Sequence, residues 1–353
     1  MKNISKEIVN VLQKLLLTGL VTLLCGQVPL SSQTNPELDK LVREFEVIDL
    51  IEKLQDENWR TRRDAAKALA SMGKDARPAV SILIKTLRDK NKEVRKNALL
   101  ALLFIKPREE SLPTLMEVFT DPDITIKTSV VHVLGSIIPK LQATISALTG
   151  VLSDKNKYVR RAAVETVLEN VKTRSIIPAL VQAVSDRDSY VSITAIKCLV
   201  RIDPKEKVLA SVLIKTLGDK DRKKRIFAIE TLAKIESETV LLALIQTLED
   251  GDEAIVYTAV KALGEIGEKA KIAIPHLVKT FENQSSFVKE QVVRSLGKIS
   301  AEVALPTLVQ ALNDEDCDVK RSAVEVLRQI SRNNRGDLGI QAQKTLDKLN
   351  INK

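Results

Sequence analysis

The stretch from Leu248 to Ile266, LEDGDEAIVYTAVKALGEI, recurs nine times in altered wording, and this recurrence constrains the fold more than any other property of the chain. Its reference residues are Asp56, Asp89, Asp121, Asp154, Asp186, Asp219, Asp250, Asn283 and Asp314, spaced 31 to 33 apart. Positions within a copy are counted from that residue. Leu stands at −6 in all nine copies, from Leu50 to Leu308, and an apolar residue at −2, a separation that puts both on one face of a first helix. At +2 stand Asn58, Asn91, Asp123, Asn156, Asp188, Asp221, Asp252, Ser285 and Asp316, all side chains that cap a helix start, so a second helix begins there in every copy. Position +9 holds Ala or Val, and +13 holds Leu or Val. Small residues at +9 let neighbouring helices approach, and the larger one at +13 fills the layer between them. Neither helix can bury its stripe alone. Two helices per period of this length predict an all-α chain built as an α-solenoid, in which each hairpin is stable only against its neighbours.

At +6 the copies carry Arg62, Arg95, Lys127, Arg160, Ser192, Arg225, Val256, Lys289 and Lys320, seven of them basic. A row of cations invites a phosphate-binding reading. Their fixed spacing from the reference Asp favours a ladder instead, in which each Asp accepts hydrogen bonds from a neighbouring copy's basic residue. The fifth and seventh copies lack the cation (Ser192, Val256), and Asn170 replaces an Ile in the fourth; imperfect stacking or a bend is a possible result at these copies.

Segments such as IIPALVQAVSDRDSYV, IPHLVKTFENQSSFVK and LPTLVQALNDEDCDVKRSAVEVLRQI resemble HEAT repeats, with Pro113, Pro178, Pro275 and Pro306 at −8. They are most similar to the short HEAT-like type found in phycobilisome (phycocyanobilin) lyase subunits and in bacterial scaffold proteins. The resemblance implies a right-handed superhelix of about nine hairpins. It implies two functions in order: a non-enzymatic scaffold that binds protein or peptide on its concave surface, or a chromophore lyase-like modification subunit. The residues that carry the resemblance are structural, so it speaks to fold more strongly than to function.

The chain divides into an N-terminal signal or membrane-anchor segment (1–32), a linker and the start of the first helix (33–46), nine repeats (47–336) and a C-terminal capping helix (337–353). Residues 1–14 are basic and amphipathic, 15–26 are uncharged, and small residues follow, the order of a secretory signal. Twelve apolar residues are short of the roughly 20 a spanning helix needs. Cleaved export, an uncleaved or lipid-linked anchor at Cys25, and a cytosolic amphipathic helix are the alternatives, in that order. Export makes the protein periplasmic or extracellular, or membrane-associated through its N-terminus, with the cytoplasm as the alternative. Pro36 is placed to open the first solenoid helix.

No catalytic, cofactor or metal constellation is present in the sequence. There are two histidines and three cysteines, widely spread; neither His132 nor His276 is followed by the Glu that iron-binding HEAT-repeat hydroxylases use. Cys198 reads as core and Cys317 as exposed. The formal charge of +9 permits an acidic partner. Dense basic segments around Lys85–Lys96 and Lys215–Arg225 centre on turns, where a solvated charge run is the ordinary explanation, so nucleic acid is disfavoured. The informative residues are off-pattern. Positions +4, +7, +8, +11 and +15 form the second helix's face away from its buried stripe, and all three tyrosines lie there. Tyr158, Tyr190, Ile193, Ile226, Phe227 and Tyr257, from four consecutive copies, form the candidate protein-binding patch. The competing explanation is that these side chains pack against the adjacent second helix.

Overall fold

The computed structural model describes residues 36–137, 142–202, 207–333 and 336–348. The proposed signal or anchor segment lies outside the described residues. Every described copy is a helical hairpin, and no strand occurs among the described residues. The protein is an all-α solenoid. The first helices are α1 (Pro36–Lys53), α3 (Val80–Thr86), α5 (Leu112–Phe119), α7 (Gln142–Val151), α9 (Ile177–Val184), α11 (Lys207–Thr216), α13 (Glu238–Thr247), α15 (Ile274–Asn283) and α17 (Ala301–Ala311). The second helices are α2 (Trp59–Met72), α4 (Lys92–Ile105), α6 (Ile124–Ser136), α8 (Lys157–Asn170), α10 (Ser189–Ile202), α12 (Arg222–Leu232), α14 (Glu253–Ile266), α16 (Ser286–Ile299) and α18 (Cys317–Asn333). The helix α19 (Asp337–Lys348) packs on α18, burying Ala342 and Leu346 while Gln341, Lys344 and Lys348 face solvent. Two compact units are present, Met1–Ala183 and Val184–Lys353, each with its own run of hairpins. The residues at +9 and +13 are buried in every copy.

The turn inside each hairpin explains why Asp recurs. One oxygen of Asp56, Asp89, Asp121, Asp154, Asp186, Asp219, Asp250 and Asp314 accepts the backbone N–H two residues on, at 2.7 to 3.0 Å, closing an Asx turn. The residue at +2 then caps the second helix: Asn58 accepts from the Arg60 amide, Asn156 from Tyr158, and Asp221 from Lys223. The eighth copy departs from the expected pattern. Asn283 turns its amide back to the Lys279 carbonyl, and Ser285 bonds to Glu253 rather than capping α16.

At three junctions the reference Asp also receives the preceding copy's +6 cation, whereas at the third copy Asp121 is met by Arg88 at 3.4 Å instead of by Arg95. Arg62 donates to Asp89 through Nε and Nη2 at 2.6 and 2.9 Å, Lys127 to Asp154 at 2.8 Å, and Lys289 to Asp314 at 2.9 Å. Arg225 lies 3.3 Å from Asp252 and 3.7 Å from Asp250. Burial alone would raise the Asp89 and Asp154 carboxyls. The Arg62 and Lys127 hydrogen bonds, with the Asn91 and Asn156 amides, outweigh it and hold both below the ordinary carboxylate range. The arginines at +6 also brace the turn of their own copy. Arg62, Arg95, Arg160 and Arg225 donate Nη1 to the carbonyl of their own copy's reference Asp, at 2.8 to 3.0 Å. The ladder thus ties the turn of one copy to itself and to the next.

Where the ladder residue is missing, the fold compensates in two different ways. Ser192 is buried and donates to the Val184 carbonyl. Lys224, from the following copy and only 3% exposed, extends its ammonium to the Asp186 carbonyl at 2.5 Å and to Asp219 at 3.2 Å. It therefore takes the place of the absent arginine on both sides. In the seventh copy Val256 is fully buried, and the residue it would have paired with is the neutral Asn283. Here close packing replaces charge. A Cβ on Gly264 would lie 2.9 Å from the Ser295 Cα and 2.4 Å from its Oγ, so α14 and α16 are in near backbone contact. The seventh copy is tightly stacked on the eighth.

Candidate functional site

The second helices carry the off-pattern side chains, and the positions divide according to depth. Position +8 is mostly not a solvent position: Ser129, Ala162, Thr194, Thr258, Gln291 and Ser322 are buried there and Asn97 is half-buried, while Asp64 of the first copy is exposed. The sequence reading had set +8 on the outer face. The physical reason for the difference is that a second helix inside a unit is flanked by neighbouring second helices, so its accessible arc is narrower than that of a helix lying on a single core. Phe227, at +8, is accordingly half-buried, with the Lys197 ammonium 5.7 Å from its ring centre. Ile193 and Ile226, at +7, are half-buried as well.

Positions +4 and +7 reach solvent. In the second unit Tyr190 at the start of α10 is 45% exposed and Phe287 at the start of α16 is 54% exposed. Tyr257 on α14 is half-buried and lies flat against Phe287, with ring centres 4.4 Å apart and planes 12° from parallel. Ser or Thr at these positions would leave only polar surface. The stack instead presents a two-ring apolar plate across two adjacent helices. Phe287 is not among the residues of the candidate patch read from the sequence; its +4 register, shared with Tyr158 and Tyr190, is the signal that points to it. The structure therefore brings Tyr257 and Phe287 into contact, and seats Phe227 under Lys197.

Tyr158 belongs to α8 in the first unit. It is 52% exposed, with Lys157 and Arg161 of its own helix 5.2 and 5.7 Å from the ring centre. The first unit has its own exposed apolar pair, Leu100 and Phe104 on α4. His132 and His276 are exposed, and among the described residues no three His, Cys, Asp or Glu side chains gather as a metal ion would require. Among the same residues no helix is long and apolar enough to cross a membrane. Cys198 is buried and its thiol is pushed up to about 12 by that burial, whereas Cys317 is exposed.

The repeat geometry agrees with comparison by sequence. The family model described as HEAT repeats matches at residues 47–135, 80–168, 145–213, 210–297 and 270–328. The chain belongs to the HEAT-repeat family. The match is to HEAT repeats in general and does not single out the lyase type. No curated protein matches. Among solved structures, this HEAT-repeat chain is similar to importin beta crystallised with polyethylene glycol, at 16% identity and a TM-score of 0.58, over 81% of this chain and 48% of that one. It is also similar to a structure of Kap95p, whose binding induces the switch loops of RanGDP to adopt the GTP-bound conformation. That likeness has 14% identity and a TM-score of 0.56, over 87% of this chain and 50% of that chain. An engineered protein is matched over 98% of its length at 20% identity, with a TM-score of 0.41. The chain spans about half the length of these two proteins, and at these identities the likeness is one of fold.

Proposed function

We propose that this HEAT-repeat protein is a non-enzymatic scaffold that holds a segment of another protein against its second-helix face, the concave side of such a solenoid. The observation that carries the reading is the aromatic row of the second unit. Tyr190, Tyr257 and Phe287 are kept at solvent-reaching positions where most other copies place Arg, Lys, Glu or Thr; Tyr158, Ile193 and Ile226 are the other large apolar residues there. Large rings on an otherwise charged surface cost solubility and add little to the core, and they serve as anchors when a partner covers them. That importin beta and Kap95p share the fold, and that Kap95p binds another protein, supports the class of function. The excess positive charge supports an acidic partner segment.

The test replaces Tyr190, Tyr257 and Phe287 together by Ser in the full chain. Circular dichroism and melting should stay close to wild type, and capture of the native partner should be lost. Unfolding of the variant would make these rings core residues, and a folded variant that keeps its partner would move the binding surface elsewhere. Residues 1–32 are proposed to direct export. N-terminal sequencing of the protein from its own cell should then begin after Gly26 or Ser32, and an intact Met1 with no envelope association would sink that proposal.

A further inference from the structure

Beside the aromatic row of the second unit runs a second stripe. At +11 and +15 of the copies that carry α10, α12, α14 and α16 stand Lys197, Arg201, Lys234, Lys261, Arg294 and Lys298, against Glu230 and Glu265; all eight are exposed, Lys234 in the turn just past the end of α12. Arg294 is shared with Glu290 at 2.7 Å, and Lys261 lies 3.9 Å from Glu265, so the surplus of cations survives the local pairing. The same positions of the first four second helices hold one cation, Lys67, and two acids, Glu165 and Glu169. The basic stripe is confined to the copies of α10, α12, α14 and α16, since α18 of the same unit holds Glu325 and Gln329 at these positions. It lies one helical turn or more along each second helix from the apolar positions at +4 and +7, a displacement of roughly 6 Å for four residues.

Resting on the scaffold reading above, we propose that the occupant of this face is an acidic amphipathic α-helix lying across α10, α12, α14 and α16, its apolar side on the aromatic row and its carboxylates over the basic stripe. Two features favour a helix over an extended segment. The apolar and cationic stripes lie side by side on one surface. A helix presents adjacent apolar and charged stripes, whereas successive side chains of an extended chain point to opposite faces. With its apolar face down, an extended chain would aim its carboxylates at solvent. The spacing also matches. Packed helices lie about 8–10 Å apart, and seven residues of a helix rise about 10.5 Å, so one heptad of the ligand passes each second helix. Four second helices then take a ligand helix of roughly 20 residues, about 30 Å long. Tyr257 and Phe287 together form the broadest anchor, and the Phe227 ring under Lys197 joins the two stripes.

The probe is a displayed library of 21-residue helix-forming peptides with Leu at the two core heptad positions and Glu, Lys, Gln or Ala at the others, selected on the full chain. Selection should enrich Glu over Lys several-fold on one flank of the Leu stripe. A synthetic peptide of the leading sequence should bind as a helix, at least tenfold more weakly at high than at low salt. The variant Lys197→Glu, Lys234→Glu, Lys261→Glu, folded by circular dichroism, should reverse the bias toward Lys. Should it not fold, the same three positions changed to Gln should abolish the bias. Enrichment of Lys, no enrichment, or an acidic bias unchanged in the variants would overturn the proposal; the last would trace the bias to the chain's overall charge. Should native partner capture depend on Tyr190, Tyr257 and Phe287 while no acidic helix is selected, the scaffold reading stands and only the helix assignment fails.

Discussion

Removing the Asp89 carboxylate tests the ladder where its geometry is best defined. Arg62 reaches Asp89 with two nitrogens, and the two side chains are only 17% and 10% exposed. Asp89 Oδ1, which accepts from Arg62 Nη2, also accepts the Asn91 amide N–H just before α4. Asp89→Ala therefore deletes a bidentate charge-assisted pair and an Asx turn. Arg62 keeps its bonds to the Asp56 and Glu57 carbonyls at 2.8 and 2.9 Å, which soften the loss. A half-buried pair broken from one side, short of the full cost of a buried one, gives a destabilisation of about 2–4 kcal/mol. Arg62→Ala should cost about 1–3 kcal/mol, and the double variant should fall short of the sum by about 1–2 kcal/mol. The assay is urea unfolding followed by circular dichroism, analysed with nearest-neighbour terms because solenoids do not always unfold in one step. The pH dependence carries a sign. The folded chain holds Asp89 below its ordinary carboxylate value, so the unfolded chain takes up the proton first as acid is added. The contribution is complete above the ordinary range near pH 4 and is lost as pH falls through the lower folded value. In Asp89→Ala that part of the acid dependence should shrink. A cost below about 0.5 kcal/mol, or additivity of the two single changes, would refute the ladder as a stabilising device and return the basic row to ligand binding.

Three further outcomes follow from the compensations. Lys224→Met should cost about 1–3 kcal/mol by leaving the Asp186 carbonyl and Asp219 short of a donor, and Ser192→Arg added to it should recover part of the loss in the same unfolding assay. Gly264→Ala should destabilise by about 1–3 kcal/mol, because its new methyl meets the Ser295 backbone. Gly251→Ala, which opens into free space, should stay within about 0.5 kcal/mol of wild type. In the native chain near pH 8 a thiol reagent mapped by mass spectrometry should label Cys317 and spare Cys198 until the chain unfolds, since burial both shields Cys198 and keeps it protonated.

How much of this was legible in the sequence follows from which interactions repeat. The hairpin was legible because Leu at −6, Asp at the reference position and a capping residue at +2 each meet the same local demand in copy after copy. Arg62 and Asp89, Lys127 and Asp154 stand 27 residues apart for the same reason, and the ladder could be read from that offset. Single events were not legible. Lys224 stands at +5, not +6, and serves the copy before its own, so no alignment of the repeats marks it as the substitute for an arginine at Ser192. The paired loss of Val256 and Asn283 was visible only once the ladder was known to run from one copy to the next, and Gly264 then explains why the junction holds without it. The proposed binding face lies between these cases. Its aromatics were found because they break the repeat, yet a single helix wheel overestimates how much of a stacked helix meets solvent, which is why Phe227 was set too far out. Which apolar residues are anchors depends on the neighbouring helix, and the Tyr257–Phe287 stack exists only between copies. A solenoid records its architecture in what is repeated and its specificity in what is not. The exceptions at +4, +7, +11 and +15 of α10, α12, α14 and α16 are therefore the residues on which the proposed recognition of a partner rests.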